Sequence, residues 1–383
     1  MLDDRVEVLK AGDESGNDMI IKVCLSSGRE IFGFATRNFY GGEWDLGPTW
    51  NYFIVSDRNV LFDAGRRGTG SQILEMMEYA GVALNEQDTI LLSHGHEDHD
   101  GGLFELVKAT GAQVMAHHTY NTLIRRYPSE APSPEKRALP ASCWHCPMPV
   151  SFSSKYCPDY HAEREAIKIS PISSSTRHIQ QGISVFHVPG HSPDAVALLV
   201  DDEAMLVGDT ILPEITPHPT LEQTFEETGA ILGPEYVEAQ QLYGLRAFMR
   251  SIAKLREVAN GSDQIRILPG HRLYNHGKWN DLSLPIRIDE LFDHHIQRCS
   301  EILNILDQGP KTPDEICEQH FEPSLLEGIG ANLARNEVLS HCELLALAGD
   351  VILEPDKRIS ATGESRFESR INDIRINKTD QSS

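Results

Sequence analysis

Long hydrophobic runs are missing from this sequence. No stretch of about 18 or more apolar residues occurs, which excludes an ordinary bilayer-spanning helix. The first residues, MLDDRVEVLKAGDESGND, are acidic and lack the apolar segment of a secretory signal. Positive charge is scarce: 34 Lys and Arg face 57 Asp and Glu, giving a net charge of −23. A surface that acidic repels phosphate backbones and anionic lipid headgroups, which disfavours nucleic acid and membrane as partners. Cysteine is sparse and odd in number, seven scattered over 383 residues. That argues against a disulfide framework and for a reducing cytoplasm. No cofactor-binding motif stands out.

What is present is an alternation of strands and helices. Met19 to Leu25 and Glu30 to Phe34 are apolar runs divided by a Ser-Ser-Gly turn, and Tyr52 to Val55 and Asn59 to Phe62 flank Ser56-Asp57-Arg58. Residues 71 to 81 carry apolar side chains at helical spacing. Thr89 to Leu92 is a short buried strand, followed by a helix at Leu103 to Thr110 and a strand at Gln113 to Ala116. A second pass runs through Ser184 to Val188, Ala195 to Val200, Ala204 to Val207 and Ile265 to Leu268. This rhythm predicts an α/β layered architecture. Residues 120 to 181 break it with Pro-rich, poorly periodic sequence and read as an insertion or lid. From about Asp281 the chain turns helical. Thr312-Pro313-Asp314-Glu315 is a helix start with its cap in place. Three helices and a small hairpin over 281 to 362 follow the winged-helix order, and residues 363 to 383 read as a polar, flexible tail.

The densest chemistry lies directly after the Thr89 to Leu92 run. Ser93 to Gly102, SHGHEDHDGG, sets three histidines and three acids within seven consecutive positions. Imidazole and carboxylate together suit zinc, iron or manganese. His94 and His96 alternate and point the same way on extended chain, while Asp98 and His99 follow on the turn, so one loop can feed two metals. Three more candidates each follow an apolar run and a glycine: His191, Asp209 and His271. Such residues perch on a strand's C-terminal edge. A weaker pattern lies in the insertion. Cys143, Cys146, Cys157 and His161 have a spacing compatible with a structural zinc, although free thiols are the plain alternative.

Together these segments resemble the metallo-β-lactamase fold superfamily of hydrolases. The match lies in H-x-H-x-D-H at His94 to His99, Gly190-His191-Ser192, Gly208-Asp209-Thr210, Pro269-Gly270-His271 and the early Phe62-Asp63-Ala64-Gly65 turn. The resemblance covers roughly residues 18 to 275, and the helical region after it is similar to the extension of a branch containing acyl-carrier thioesterases and an RNA nuclease. It implies a four-layer αβ/βα sandwich with a catalytic domain over 1 to 280. It also implies two divalent metals, zinc with iron or manganese as alternatives. His94, His96 and His191 would hold the first, Asp98, His99 and His271 the second, and Asp209 would bridge them. Asp98 and Asp209 would also serve catalysis by placing a metal-bridging hydroxide. The expected reaction is hydrolysis of a small acyl substrate: a thioester, ester or lactone. Phosphodiester or RNA cleavage is the alternative, and a metal-bound sensor without turnover a third reading. A flavodiiron-type redox role is disfavoured, because that pattern carries glutamate where this chain has His96. The extension is expected to pack over the site or to mediate a homodimer.

Among the other histidines, His117, His118 and His187 read as packing or supporting groups. His218 and His276 read as loop residues at the mouth or on the surface. Asp63 reads as a turn or supporting residue, Glu97 as solvated.

Overall fold

The computed structural model describes residues 6–38, 46–126, 139–144, 158–260 and 264–376. Eight strands form the first sheet in chain order: β1 (Val6–Lys10), β2 (Ile20–Cys24), β3 (Glu30–Thr36), β4 (Thr49–Ile54), β5 (Val60–Phe62), β6 (Thr89–Leu91), β7 (Gln113–His117) and β8 (Ile169–Ile172). Pairing is antiparallel from β1 to β5 and parallel from β5 to β8. The second sheet has the order β13-β12-β11-β10-β9, with β9 (His178–Gln180), β10 (Ile183–His187), β11 (Val196–Val200), β12 (Ala204–Gly208) and β13 (Arg266–Pro269). Two short hairpins complete the strands: β14 (Tyr274–Asn275) with β15 (Lys278–Trp279), and β16 (Val351–Leu353) with β17 (Ile359–Ala361).

The period-2 alternation of the strands builds the layers. In β4 Trp50, Tyr52 and Ile54 face the second sheet and Phe53 faces away; in β11 Val196, Leu198 and Val200 meet the first sheet while Ala197 and Leu199 face outward. The outer face of the first sheet is covered by α1 (Gly70–Tyr79) and, beyond the four-residue α2 (Glu97–Asp100), by α3 (Leu103–Thr110). The order is helices, sheet, sheet, helices, as the resemblance implied. Each fully buried large apolar side chain in these layers contributes about 1.5–3 kcal/mol.

The insertion is more regular than its sequence suggests. Its flanks form α4 (His118–Arg125), α5 (Pro158–Glu165) and the sheet-edge strands β8 and β9. The β8 run, Ile-Ser-Pro-Ile, carries a proline tolerated at an edge. After β12 come α6 (Thr224–Thr228) and α7 (Gly244–Val258), then the C-terminal helices α8 (Leu284–Leu306), α9 (Pro313–His320), α10 (Gly330–Ala348) and α11 (Phe367–Arg375). Thr312 and Glu315 make the reciprocal cap expected at α9, at 3.2 and 2.7 Å.

One apolar cluster joins Leu199 and Phe248 of the second-sheet side to Leu291, Val338 and Ile371 of the C-terminal helices, so the core continues across residue 280. The segment after 362, expected to be loose, departs from that reading. Asp350 accepts the Arg366 and Phe367 amides at the start of α11, Phe367 and Ile371 are buried, and Arg375 pairs with Asp289 and Asp293 of α8. Residues 377–383 of that expected tail lie outside the described residues. Among the described residues no helix is long and apolar enough to cross a membrane.

Candidate metal centre

The parallel strands deliver their C-terminal ends to one rim. Asp63 follows β5, Ser93 and the histidine loop follow β6, Asp209 follows β12 and His271 follows β13. There the seven sequence-predicted residues come together. His94 Nε2 lies 3.0 Å and His191 Nε2 3.2 Å from His96 Nδ1. His99 Nε2 lies 3.3 Å from His271 Nε2, which is 3.2 Å from an Asp98 oxygen. Asp209 reaches both groups, its oxygens 3.3 Å from His99, 3.4 Å from His271 and 3.7 Å from His191. The inward atoms lie within 4.8 Å of one another in three overlapping sets: His94, His96, His191; His94, His99, Asp209; and Asp98, His99, His271.

The outer edges of the rings decide what the inner edges offer. His191 Nδ1 donates to the His218 carbonyl at 3.0 Å and His271 Nδ1 to the Pro48 carbonyl at 3.1 Å. His99 Nδ1 donates to Asp63 at 2.9 Å. His94 Nδ1 lies 2.9 Å from Ser93 Oγ, which itself donates to Asp63 at 2.8 Å. With their protons directed outward, these four rings present Nε2 lone pairs to the interior. Lone pairs and carboxylate oxygens crowded 3.0–3.8 Å apart repel one another unless a cation or protons lie between them. The donor chemistry fits divalent metal on imidazole and carboxylate.

Without a cation the titrations are pulled apart. Burial holds His94 and His191 well below the ordinary imidazole value. Burial also opposes charge on His271, but Asp209 and Asp98 outweigh it and hold that ring up at about 9. For Asp98 and Asp209, burial is overcome by His99 and His271, and both carboxyls sit below their usual range.

Several supporting groups were not legible. Ser93 links His94 to Asp63, the carboxylate that also holds His99; Asp63 takes φ 71° and accepts the Ser93 amide at 2.7 Å. Asn38 donates to Asp98 at 2.9 Å. His218, read as a mouth or surface residue, is half-buried with its ring 5.1 Å from His191. His276 is exposed in a turn at φ 48°. Glu97 is half-buried and accepts the Arg67 amide at 2.8 Å. His117, His118 and His187 form a separate network through Ser174 and Tyr236, in line with a packing and hydrogen-bonding role. Of the insertion's weaker pattern, Cys143 Sγ lies 3.4 Å from His161 Nε2, while Cys146 and Cys157 lie outside the described residues.

Asp100, the last acid of the histidine loop, ties that loop to the insertion. It accepts Tyr120 at 2.9 Å and Tyr160 at 2.5 Å and faces Arg164 at 3.4 Å. Nearby, Asp194 accepts Ser192 and the Gly95 amide. Burial nevertheless lifts the Asp194 carboxyl from 3.8 to about 6, with Asp100 adding to the lift. Between those values the folded chain binds the extra proton, so its stability falls as pH rises through the window. At 1.36 kcal/mol per unit the loss from pH 4 to 6 is on the order of 2–3 kcal/mol. Asp194→Asn is expected to flatten that part of the profile. Urea melts giving both proteins the same change in stability between pH 4 and pH 7 would contradict the assignment.

Residues 44–283 match the model of the metallo-beta-lactamase superfamily. A probable metallo-hydrolase of Bacillus subtilis is 25% identical over 314 residues, 78% of this chain and 88% of its own. A hydroxyacylglutathione hydrolase of Methylobacillus flagellatus is 28% identical over 191 residues, 46% of this chain and 59% of its own. Among solved structures, a beta-lactamase domain protein from Burkholderia ambifaria superposes with a TM-score of 0.61 at 16% identity, covering 92% of this chain and 95% of its own. A metallo-beta-lactamase family protein from Thermus thermophilus gives 0.56 at 19% identity, covering 93% and 98%. These overlaps take in the C-terminal helices as well as the two sheets. With a family model spanning more than half its length, this chain belongs to the metallo-beta-lactamase superfamily.

Proposed function

We propose that the protein is a dinuclear hydrolase of a small acyl substrate, a thioester, ester or lactone. His94, His96 and His191 would hold one cation, Asp98, His99 and His271 the other, and Asp209 would serve both. Zinc is the expected occupant, with iron or manganese as alternatives that elemental analysis separates. Divalent metal held there would supply Lewis acidity, which acidifies a water and polarises the oxygen under attack. The chain's own part is orientation. Asn38 fixes one oxygen of Asp98, Asp63 fixes the His99 ring, and burial keeps bulk water from competing for the donors.

The observation that carries this reading is the outward commitment of four ring protons, which leaves four inward lone pairs beside two carboxylates. The acyl class draws support from the relative named hydroxyacylglutathione hydrolase and from the net charge of −23. The phosphodiester alternative draws on the C-terminal helices and hairpin, which follow the order of a winged helix. Yet α10 carries Arg335 as its only Lys or Arg, and that guanidinium is paired with Asp314 at 2.5 Å. Cytoplasmic residence is part of this reading; the five described cysteines are all free thiols.

A panel of coenzyme A and glutathione thioesters, lactones and bis-p-nitrophenyl phosphate tests the proposal. Turnover of an acyl substrate that a chelator abolishes and added metal restores is the expected result. Faster cleavage of the phosphodiester would transfer the assignment to the alternative. No turnover at full metal occupancy would make this a binding protein.

A further inference from the structure

The Nδ1 partners of His99 and His94, Asp63 and Ser93, stand at the ends of β5 and β6, and Pro48, which serves His271, leads directly into β4. His191 is different. Its partner is the His218 carbonyl, on a stretch from 209 to 223 that has neither helix nor strand. Something other than a sheet must hold that carbonyl in place.

Part of the answer is local. The Thr220 amide and hydroxyl both donate to the Gly190 carbonyl, at 2.7 and 2.8 Å, and the Gly244 amide donates to Thr220 Oγ1 at 3.1 Å. Arg287 of α8 adds bonds to the Leu212 and Ile215 carbonyls at 2.9 and 2.8 Å, and the hold nearest His218 comes from α10, more than a hundred residues away in sequence. Asn336 Nδ2 donates to the Pro219 carbonyl at 2.7 Å, next to the carbonyl that holds His191. Seven residues on, two helical turns along the same face, Glu343 accepts the Glu222 and Gln223 amides at 2.8 and 3.0 Å. One face of one helix therefore grips the segment at two points, Pro219 and Glu222–Gln223. Asn336 is buried, and so is Pro219, so the bond between them is shielded from water.

We propose that α10 is a clamp on the metal centre, with Asn336 as the positioning residue that sets His191 through Pro219 and His218. This rests on the metal reading of the site. The C-terminal helices then serve the hydrolase directly, and the affinity of the cation on His94, His96 and His191 depends on them. Partners behind a ligating histidine typically govern about 10–100-fold in metal affinity.

Asn336→Asp keeps the side chain's shape but sets an oxygen against the Pro219 carbonyl. In the full-length protein, chelator competition is expected to show one of two metal equivalents weakened about 10–100-fold, the other within about twofold. The cobalt-loaded protein should lose or shift the visible bands of one equivalent only. Val338→Ala, in the same helix core, should lower stability while leaving both affinities and the cobalt spectrum in place. Two affinities and a cobalt spectrum unchanged in Asn336→Asp would overturn the clamp and leave the hydrolase reading standing. Equal weakening of both equivalents by both variants would also overturn it, as an effect of general stability. Wild-type protein that takes up no metal would remove the reading beneath it as well.

Discussion

Asp209→Ala is expected to empty both halves of the metal centre and to cost on the order of 10³-fold or more in kcat/KM, the scale of losing a preorganised electrostatic group. The prediction follows from position. Asp209 stands at the end of β12, buried, and its two oxygens reach His99 and His271 on one side and His191 on the other. No other carboxylate among the described residues meets both sets of rings. Metal content measured by elemental analysis should fall toward zero rather than toward one equivalent. Asp209→Asn, which keeps the shape and loses the charge, separates the two contributions: partial occupancy with a low rate implicates charge. The metal-free protein offers a second readout. Burial pushes the His271 imidazole down and Asp209 with Asp98 holds it up at about 9, so Asp209→Ala should lower that titration as followed by NMR. Metal content of two equivalents and a rate within a factor of two of wild type would refute the shared role.

The residues that converge were readable because ligands come in short local patterns. SHGHEDHDGG, PGHS, GDT and PGH each place a donor directly after an apolar run, and the run ends where the sheet ends. The layered fold was readable for a related reason: short apolar runs such as Thr89 to Leu92 and Ala195 to Val200 alternate with segments of helical spacing, the rhythm of sheets covered by helices. The supporting carbonyls of Pro48 and His218 left no trace, because every residue carries a carbonyl and none advertises where it points. Ser93 could have been suspected from its place before His94; its bond to Asp63 depends on β5 and β6 lying side by side, which is tertiary information. The edge strands β1 and β8 escaped because an edge tolerates the charge and the proline that a central strand does not. The α11 helix escaped because its buried face amounts to Phe367 and Ile371 in an otherwise polar stretch.

The two glycines that precede His191 and His271 look alike in sequence, yet replacing them is expected to fail in opposite ways. Gly190 has φ 132°, a region closed to other residues, and a Cβ there would lie 2.3 Å from the backbone N and Cα of Phe248 in α7. Helix backbone cannot step aside without moving the layer, so Gly190→Ala should destabilise the whole protein, by on the order of 4 kcal/mol or more. Gly270 has no such backbone demand. Its Cβ would meet chiefly side chains, 2.4 Å from Asp209 Oδ1 and 2.9 Å from His99 Cε1, with the Gly208 backbone carbon farther off at 3.1 Å. Those side chains can give way, but only by leaving the positions in which they face the other donors. Gly270→Ala should therefore fold with a modest loss, about 1–3 kcal/mol, while metal affinity and rate collapse. Denaturation midpoints and metal titrations on both variants read the difference. A stable Gly190→Ala protein, or a Gly270→Ala protein that binds metal as tightly as wild type, would show that the close approach on which this contrast depends is absent in solution.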